Sequence, residues 1–156
     1  MESSWLMVTA SSTNQEILEF VYDFIMTQGK RCIDEYGTCM YKKGNLRCAV
    51  GCILSDDDCE MLSSKNSALY VKHLKPEVHY THDYSTLVCR RLQQLGYNYD
   101  QIKLLADLQV AHDSIRDPTH FRRDFRVNVI KIASDYGLSV TKLKSIKHYE
   151  RLVSSV

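Results

Sequence analysis

Between Cys39 and Asp58 the chain reads CMYKKGNLRCAVGCILSDDD, and Cys48 stands where a strand gives way to a helix. A thiol at a helix N-terminus is acidified by the unpaired backbone N–H groups and by the dipole there. A thiolate nucleophile also needs a base, and His112-Asp113, in LQVAHD, is the candidate. Cys48, His112 and Asp113 would then form the set of a cysteine-dependent hydrolase or transferase. One feature opposes it. His112 falls inside a predicted helix, where adjacent side chains project in different directions, so Asp113 is poorly placed to hold the ring of its neighbour. The competing reading takes Cys39, Cys48 and Cys52 as small buried residues that pack a hairpin on the first helix.

Metal ligation is the second chemistry to weigh. Cys39, Cys48, Cys52 and Cys59 are separated by eight, three and six residues, and His79-x-x-His82 offers two further ligands. Structural zinc uses two short ligand pairs, and no C-x-x-C occurs. The Cys48-x-x-x-Cys52 pair suits a helix face or a core equally. Asp56-Asp57-Asp58 lacks the alternating ligands and the glycine of a calcium loop, and reads as a dipole-favoured helix start. The expectation is no metal and no cofactor. P-loop, GxGxxG, GxSxG and HExxH patterns do not occur.

Binding residues form the third group. Tyr41, Lys42, Lys43 and Arg47 in the hairpin, with His79, Tyr80, His82 and Tyr84, make an aromatic and cationic recognition surface. Ten tyrosines in 156 residues, against four Phe and one Trp, add mild support. Arg122, Arg123 and Arg126 lie on a later helix, and Arg122 and Arg126 share a face that could meet phosphate. Asp117, Asp124, Asp135 and Glu150 interrupt the basic stretch, so a solvated helix face is favoured over a nucleic-acid or nucleotide surface.

These residues need elements to position them. Thr13-x-x-Glu16 is a capping box, and Ile17, Leu18, Val21, Phe24 and Ile25 form a stripe at helical spacing, which predicts a helix over 14–28 ended by Gly29. Strands near 38–41 and 45–48 flank the turn Lys42-Lys43-Gly44-Asn45. A short helix is expected over 49–54, and a second over 56–63 behind a Ser55 cap. Pro76 breaks any helix in 64–82, which reads as irregular. Helices follow over 84–95, 99–115 and 118–136, the last opened by Asp117-Pro118, and Ser139 is expected to cap a final helix through about 151. The fold class is α+β, mainly α: one domain of five to six helices over residues 13–156, one small β-hairpin near 38–48, and a flexible N-terminus over 1–12.

Composition agrees with one soluble domain, at 44% hydrophobic and 25% charged residues. No stretch approaches the roughly 18 apolar residues that a membrane span requires. The apolar run Trp5–Ala10 follows Glu2 and has no basic residues ahead of it, so no signal peptide is expected and the cytoplasm is the expected location. The six cysteines are then expected to be reduced thiols. Charge is uneven. Residues 1–60 hold five basic against ten acidic side chains, net −5, and residues 61–156 hold fifteen against nine, net +6. Two halves of one fold attracting each other account for this as well as an anionic partner does.

TQGK at 27–30, CMY at 39–41, LRCAVGCIL at 46–54 ahead of acidic residues, and LQ-x-x-HD at 108–113 together resemble a family of small uncharacterised proteins of phages and prophage-carrying bacterial genomes. The resemblance covers about half the chain. It implies a setting in which small proteins bind host factors, defence proteins or signalling nucleotides. The leading expectation is therefore a small cytosolic binding protein acting on a host protein or small ligand, with counter-defence as one such role. The Cys48/His112 enzyme is the alternative, and nucleic-acid or nucleotide binding through the basic C-terminal half is the second.

Overall fold

The computed structural model describes residues 7–64 and 85–154. They form six α-helices and one two-stranded antiparallel hairpin, a mainly α member of the α+β class. Of the irregular stretch expected over 64–82, residues 65–82 lie outside the described residues, and with them His79, Tyr80 and His82, as does Tyr84.

Helix α1 (Asn14–Gln28) is the central element. Its capping box forms as the sequence predicts: Thr13 Oγ1 accepts from the Glu16 N–H at 3.1 Å, and Glu16 Oε1 accepts from the Thr13 N–H at 2.9 Å. Ile17, Leu18, Val21, Tyr22, Ile25 and Met26 are buried against the other helices. Each such side chain contributes about 1.5–3 kcal/mol relative to exposure. Gly29 ends the helix at φ +74°, a left-handed conformation natural to glycine.

The hairpin is tighter than expected. Strands β1 (Lys42–Lys43) and β2 (Leu46–Arg47) pair Lys42 with Arg47 and Lys43 with Leu46. Only Gly44-Asn45 turns, so both lysines join the ladder instead of forming the loop. Gly44, at φ +60°, permits this two-residue turn. Cys39, expected in the first strand, instead bridges Ile33. Behind the hairpin a 3-10 turn at Gly51–Ile53 replaces the short helix expected over 49–54. Helix α2 (Asp56–Ser64) then starts where Ser55 Oγ accepts from the Asp58 N–H at 3.1 Å.

Helices α3 (Ser85–Gln94), α4 (Tyr99–Asp113) and α5 (Phe121–Asp135) follow. Asn98 and Gln101 make a second capping box on α4. Residues Pro118–His120 form a 3-10 turn before α5, with Asp117 accepting from the Thr119 N–H at 2.9 Å. The last helix, α6, spans Ile146–Ser154 and does not begin at Ser139. Gln15 holds Ser139 from both sides, its Oε1 accepting from Ser139 N–H at 2.8 Å and its Nε2 donating to Ser139 O at 2.9 Å. Leu143 is buried in the intervening loop, and Ser145 Oγ accepts from the His148 N–H at 3.3 Å in the capping role. Within the expected flexible N-terminus, residues 8–12 are anchored. Val8 is buried, Tyr97 donates to its carbonyl at 3.3 Å, and Gln101 donates to Ala10 O and Ser12 O at 2.9 Å each. Among the described residues no helix is long and apolar enough to cross a membrane.

Candidate functional site

Cys48 is 1% exposed. No α-helix begins there, and among the described residues the one N–H that reaches its Sγ is that of Gly51, at 3.2 Å. Burial pushes the Cys48 thiol well above its ordinary range, and the Asp113 carboxylate adds to the effect. The burial agrees with the reading of Cys48 as a small packed core residue and not with the alternative of an acidified thiol: one weak donor in a three-residue turn does not offset desolvation.

The His112–Asp113 relation differs from expectation in the opposite sense. His112 is fully buried, and its Nδ1 lies 2.8 Å from Asp113 Oδ1. Asp113 is the last residue of α4, and Gln109, one turn earlier, donates to both its carboxylate oxygens at 2.9 Å. The carboxylate is thereby drawn back over the ring of its own neighbour. Gln109 Oε1 accepts from the Val50 N–H at 2.8 Å, so this network braces the loop after β2 against α4. Among the described residues the His112 Nε2 has no hydrogen-bond partner, and the ring meets Phe121 edge-on at 6.0 Å. Cys48, His112 and Asp113 thus come into one region, but no hydrogen bond joins thiol to imidazole. Cys39, which is half-buried, also faces Asp113, and its thiol is pushed up to about 11, first by burial and then by that carboxylate. Among the described residues no group of three or more His, Cys, Asp or Glu side chains is arranged to hold a metal.

The proposed hairpin surface is engaged internally. Tyr41 is buried. Lys42 pairs with Asp56 at 3.1 Å and Lys43 with Glu35 at 3.2 Å. Arg47 donates to Gly51 O at 2.9 Å and Leu54 O at 3.0 Å, and also pairs with Asp56. Arg47 is therefore a clamp that docks α2 on the hairpin, not a free recognition group.

The arginines of α5 have a similar use. Arg122 Nε donates to Met26 O at 2.8 Å, and Nη2 reaches Thr27 O, so this side chain satisfies the end of α1. Arg126 Nη1 donates to Tyr22 Oη at 2.7 Å and Lys144 O at 3.0 Å. Arg123 pairs with Asp124 at 3.0 Å. A phosphate at this face would have to displace those carbonyls from Arg122 and Arg126. Several tyrosines are likewise structural: Tyr22 donates to Lys144 O, Tyr149 to Asp23 and Tyr136 to Asp107.

A groove that the sequence reading does not identify lies between α1 and the hairpin. Its volume is about 380 Å³, and it is open to solvent along one side. Phe20, Asp23, Phe24, Thr27 and Gln28 of α1 line one side, and Asn45 and Leu46 the other. The Phe20 and Phe24 rings stack with centroids 6.3 Å apart. The walls are fixed to each other, because Gln28 donates to Arg47 O and accepts from Arg47 N–H, both at 2.8 Å. Phe24 reads in the sequence as part of the buried stripe. The signal for its other role is the i, i+4 phenylalanine pair at the edge of that stripe, where Phe20 and Phe24 pack against the core and stay only partly buried. A second cavity of about 430 Å³ lies beside Met40 and α2, lined by Asp56, Glu60 and Ser63 together with Lys42.

Comparisons of the chain with protein-family models, with curated proteins and with solved structures give no match.

Proposed function

We propose that the chain is a small cytoplasmic binding protein that acts on a host protein or a small ligand, with the α1–hairpin groove as its recognition surface. The resemblance to phage and prophage proteins supplies the setting, and counter-defence is one role that fits it. The observation that carries the reading is a pre-formed groove with an aromatic wall, held in shape by the paired Gln28–Arg47 bonds. Such concave sites, mostly apolar with a few placed polar groups, are the usual form of a ligand site. A wall fixed before binding also lowers the ordering cost of association.

The test is selection of a displayed random dodecapeptide library on the immobilised protein. Enriched peptides are then measured against wild type and Phe24→Ala, with thermal melting to verify that the variant is folded. Peptides that lose about tenfold or more in affinity for Phe24→Ala are expected. Enriched peptides that bind the variant equally, or Cys48-dependent turnover of a substrate by the purified protein, overturn the reading.

A further inference from the structure

We infer that the α1–hairpin groove takes a basic segment of a partner protein, whose arginine or lysine lays its stem over Phe20 and Phe24 and sets its charged head against Asp23. This rests on the groove being the recognition surface. Asp23 is the one ionisable side chain among the described residues that line it. Along the outward face of α1, Glu16, Glu19, Phe20, Asp23, Phe24 and Thr27 recur at spacings of three and four, and α1 contains no lysine or arginine.

Among the described residues, the carboxylates of that face have no cationic partner of their own. Asp23 Oδ1 accepts from the neutral Tyr149 hydroxyl at 2.8 Å, and Glu19 from the neutral Gln15 amide at 2.8 Å. The nearby cations are committed elsewhere: Lys43 to Glu35, Arg47 to Asp56 and two carbonyls, and Arg122 to the end of α1. The groove therefore presents negative charge beside an aromatic pair. A long cationic side chain matches both, since its methylenes cover apolar surface while its head is drawn to ring faces and to the carboxylate. The open side favours a side chain projecting from a protein segment over a small molecule, which a site normally encloses on most of its surface.

The experiment examines the composition of the dodecapeptides selected on wild type. Enrichment of arginine or lysine next to an apolar residue is expected. Replacing that arginine by the neutral isostere citrulline should weaken binding about tenfold. Asp23→Asn keeps the acceptor for Tyr149 and removes the charge, and should weaken the arginine peptide about threefold to fivefold while leaving the citrulline peptide unchanged. Thr27→Arg sets an i, i+4 cation against Asp23 and should compete in the same way. Neutral or acidic selected peptides that still depend on Phe24 overturn this inference and leave the groove reading standing. Equal affinity for the citrulline peptide, or no effect of Asp23→Asn, also overturns it. Free arginine amide competing as strongly as the peptide overturns the assignment to a protein segment. The absence of any Phe24-dependent peptide overturns both.

Discussion

His112 Nδ1 and Asp113 Oδ1, on consecutive residues at the end of α4, lie 2.8 Å apart. The contact exists because Gln109 grips both carboxylate oxygens from the turn before. Helical geometry alone separates neighbouring side chains, and here a third residue overrides it. Asp113→Ala leaves the buried ring nitrogen and the Gln109 amide without an acceptor. A loss of about 2 kcal/mol is expected, with Asp113→Asn losing less because one acceptor oxygen remains. Urea denaturation of the three proteins measures the order.

The two glycines beside these networks differ in kind. Gly51 packs against the main-chain carbonyl of Tyr41, where an added Cβ would collide with backbone. Gly29 has φ +74°, and its added Cβ would meet the flexible Arg122 side chain. Gly51→Ala should therefore be the worse substitution, at about 3 kcal/mol or more. Gly29→Ala should lose about 1–2 kcal/mol. Equal melting temperatures would contradict this.

Arg47 joins β2 to the 3-10 turn and to α2 through three oxygen acceptors and the Cys59 sulfur. Arg47→Lys keeps the charge but not the planar fork, and is expected to lose about 1.5–3 kcal/mol. Asp56→Ala, at an exposed position, should cost far less, as surface ion pairs generally do. Denaturant midpoints for the two variants separate the roles of carbonyl and carboxylate.

The thiols make a pH prediction. Burial holds Cys32 and Cys39 up to about 11 in the folded chain. An unfolded thiol releases its proton near pH 8.5. Between those values the folded state keeps protons that the unfolded state has lost, so stability is complete below about pH 8.5 and falls as pH rises towards 11. Melting temperatures at intervals across that range should decline, less steeply for Cys39→Ala. Iodoacetamide at pH 8 should reach the partly exposed Cys39 and Cys89 first. The buried Cys48 and Cys52 should label only on unfolding, which mass spectrometry of the peptides would show.

The elements that the sequence announces well are those whose signals are local. Thr13 and Glu16 cap α1 within one turn, and Ile17 to Ile25 mark its buried face without help from elsewhere. Ser139 and Ser145 are equally good caps when read locally. Gln15, far back in the chain, decides between them by binding the Ser139 backbone. Arg122 and Arg126 look like a phosphate-binding face until the carbonyls they serve, on α1 and the loop before α6, are brought alongside. The candidate site is hidden for the same reason. Phe20 and Phe24 form a groove only once Asn45 and Leu46 stand opposite them.

Helix α1 is tied down by bonds that reach far along the chain: Gln15 to Ser139, Tyr22 to Lys144 and Tyr149 to Asp23, separated by 124, 122 and 126 positions. During translation α1 is made early and these partners late. At about 5–20 residues per second, roughly 6 to 25 s pass before the ribosome supplies them. Throughout that interval Ile17, Val21 and Ile25 have no completed core to enter. A stop codon ahead of residue 139 would remove all three of these ties and leave α1 only its partners from the earlier elements, α4 and α5 among them.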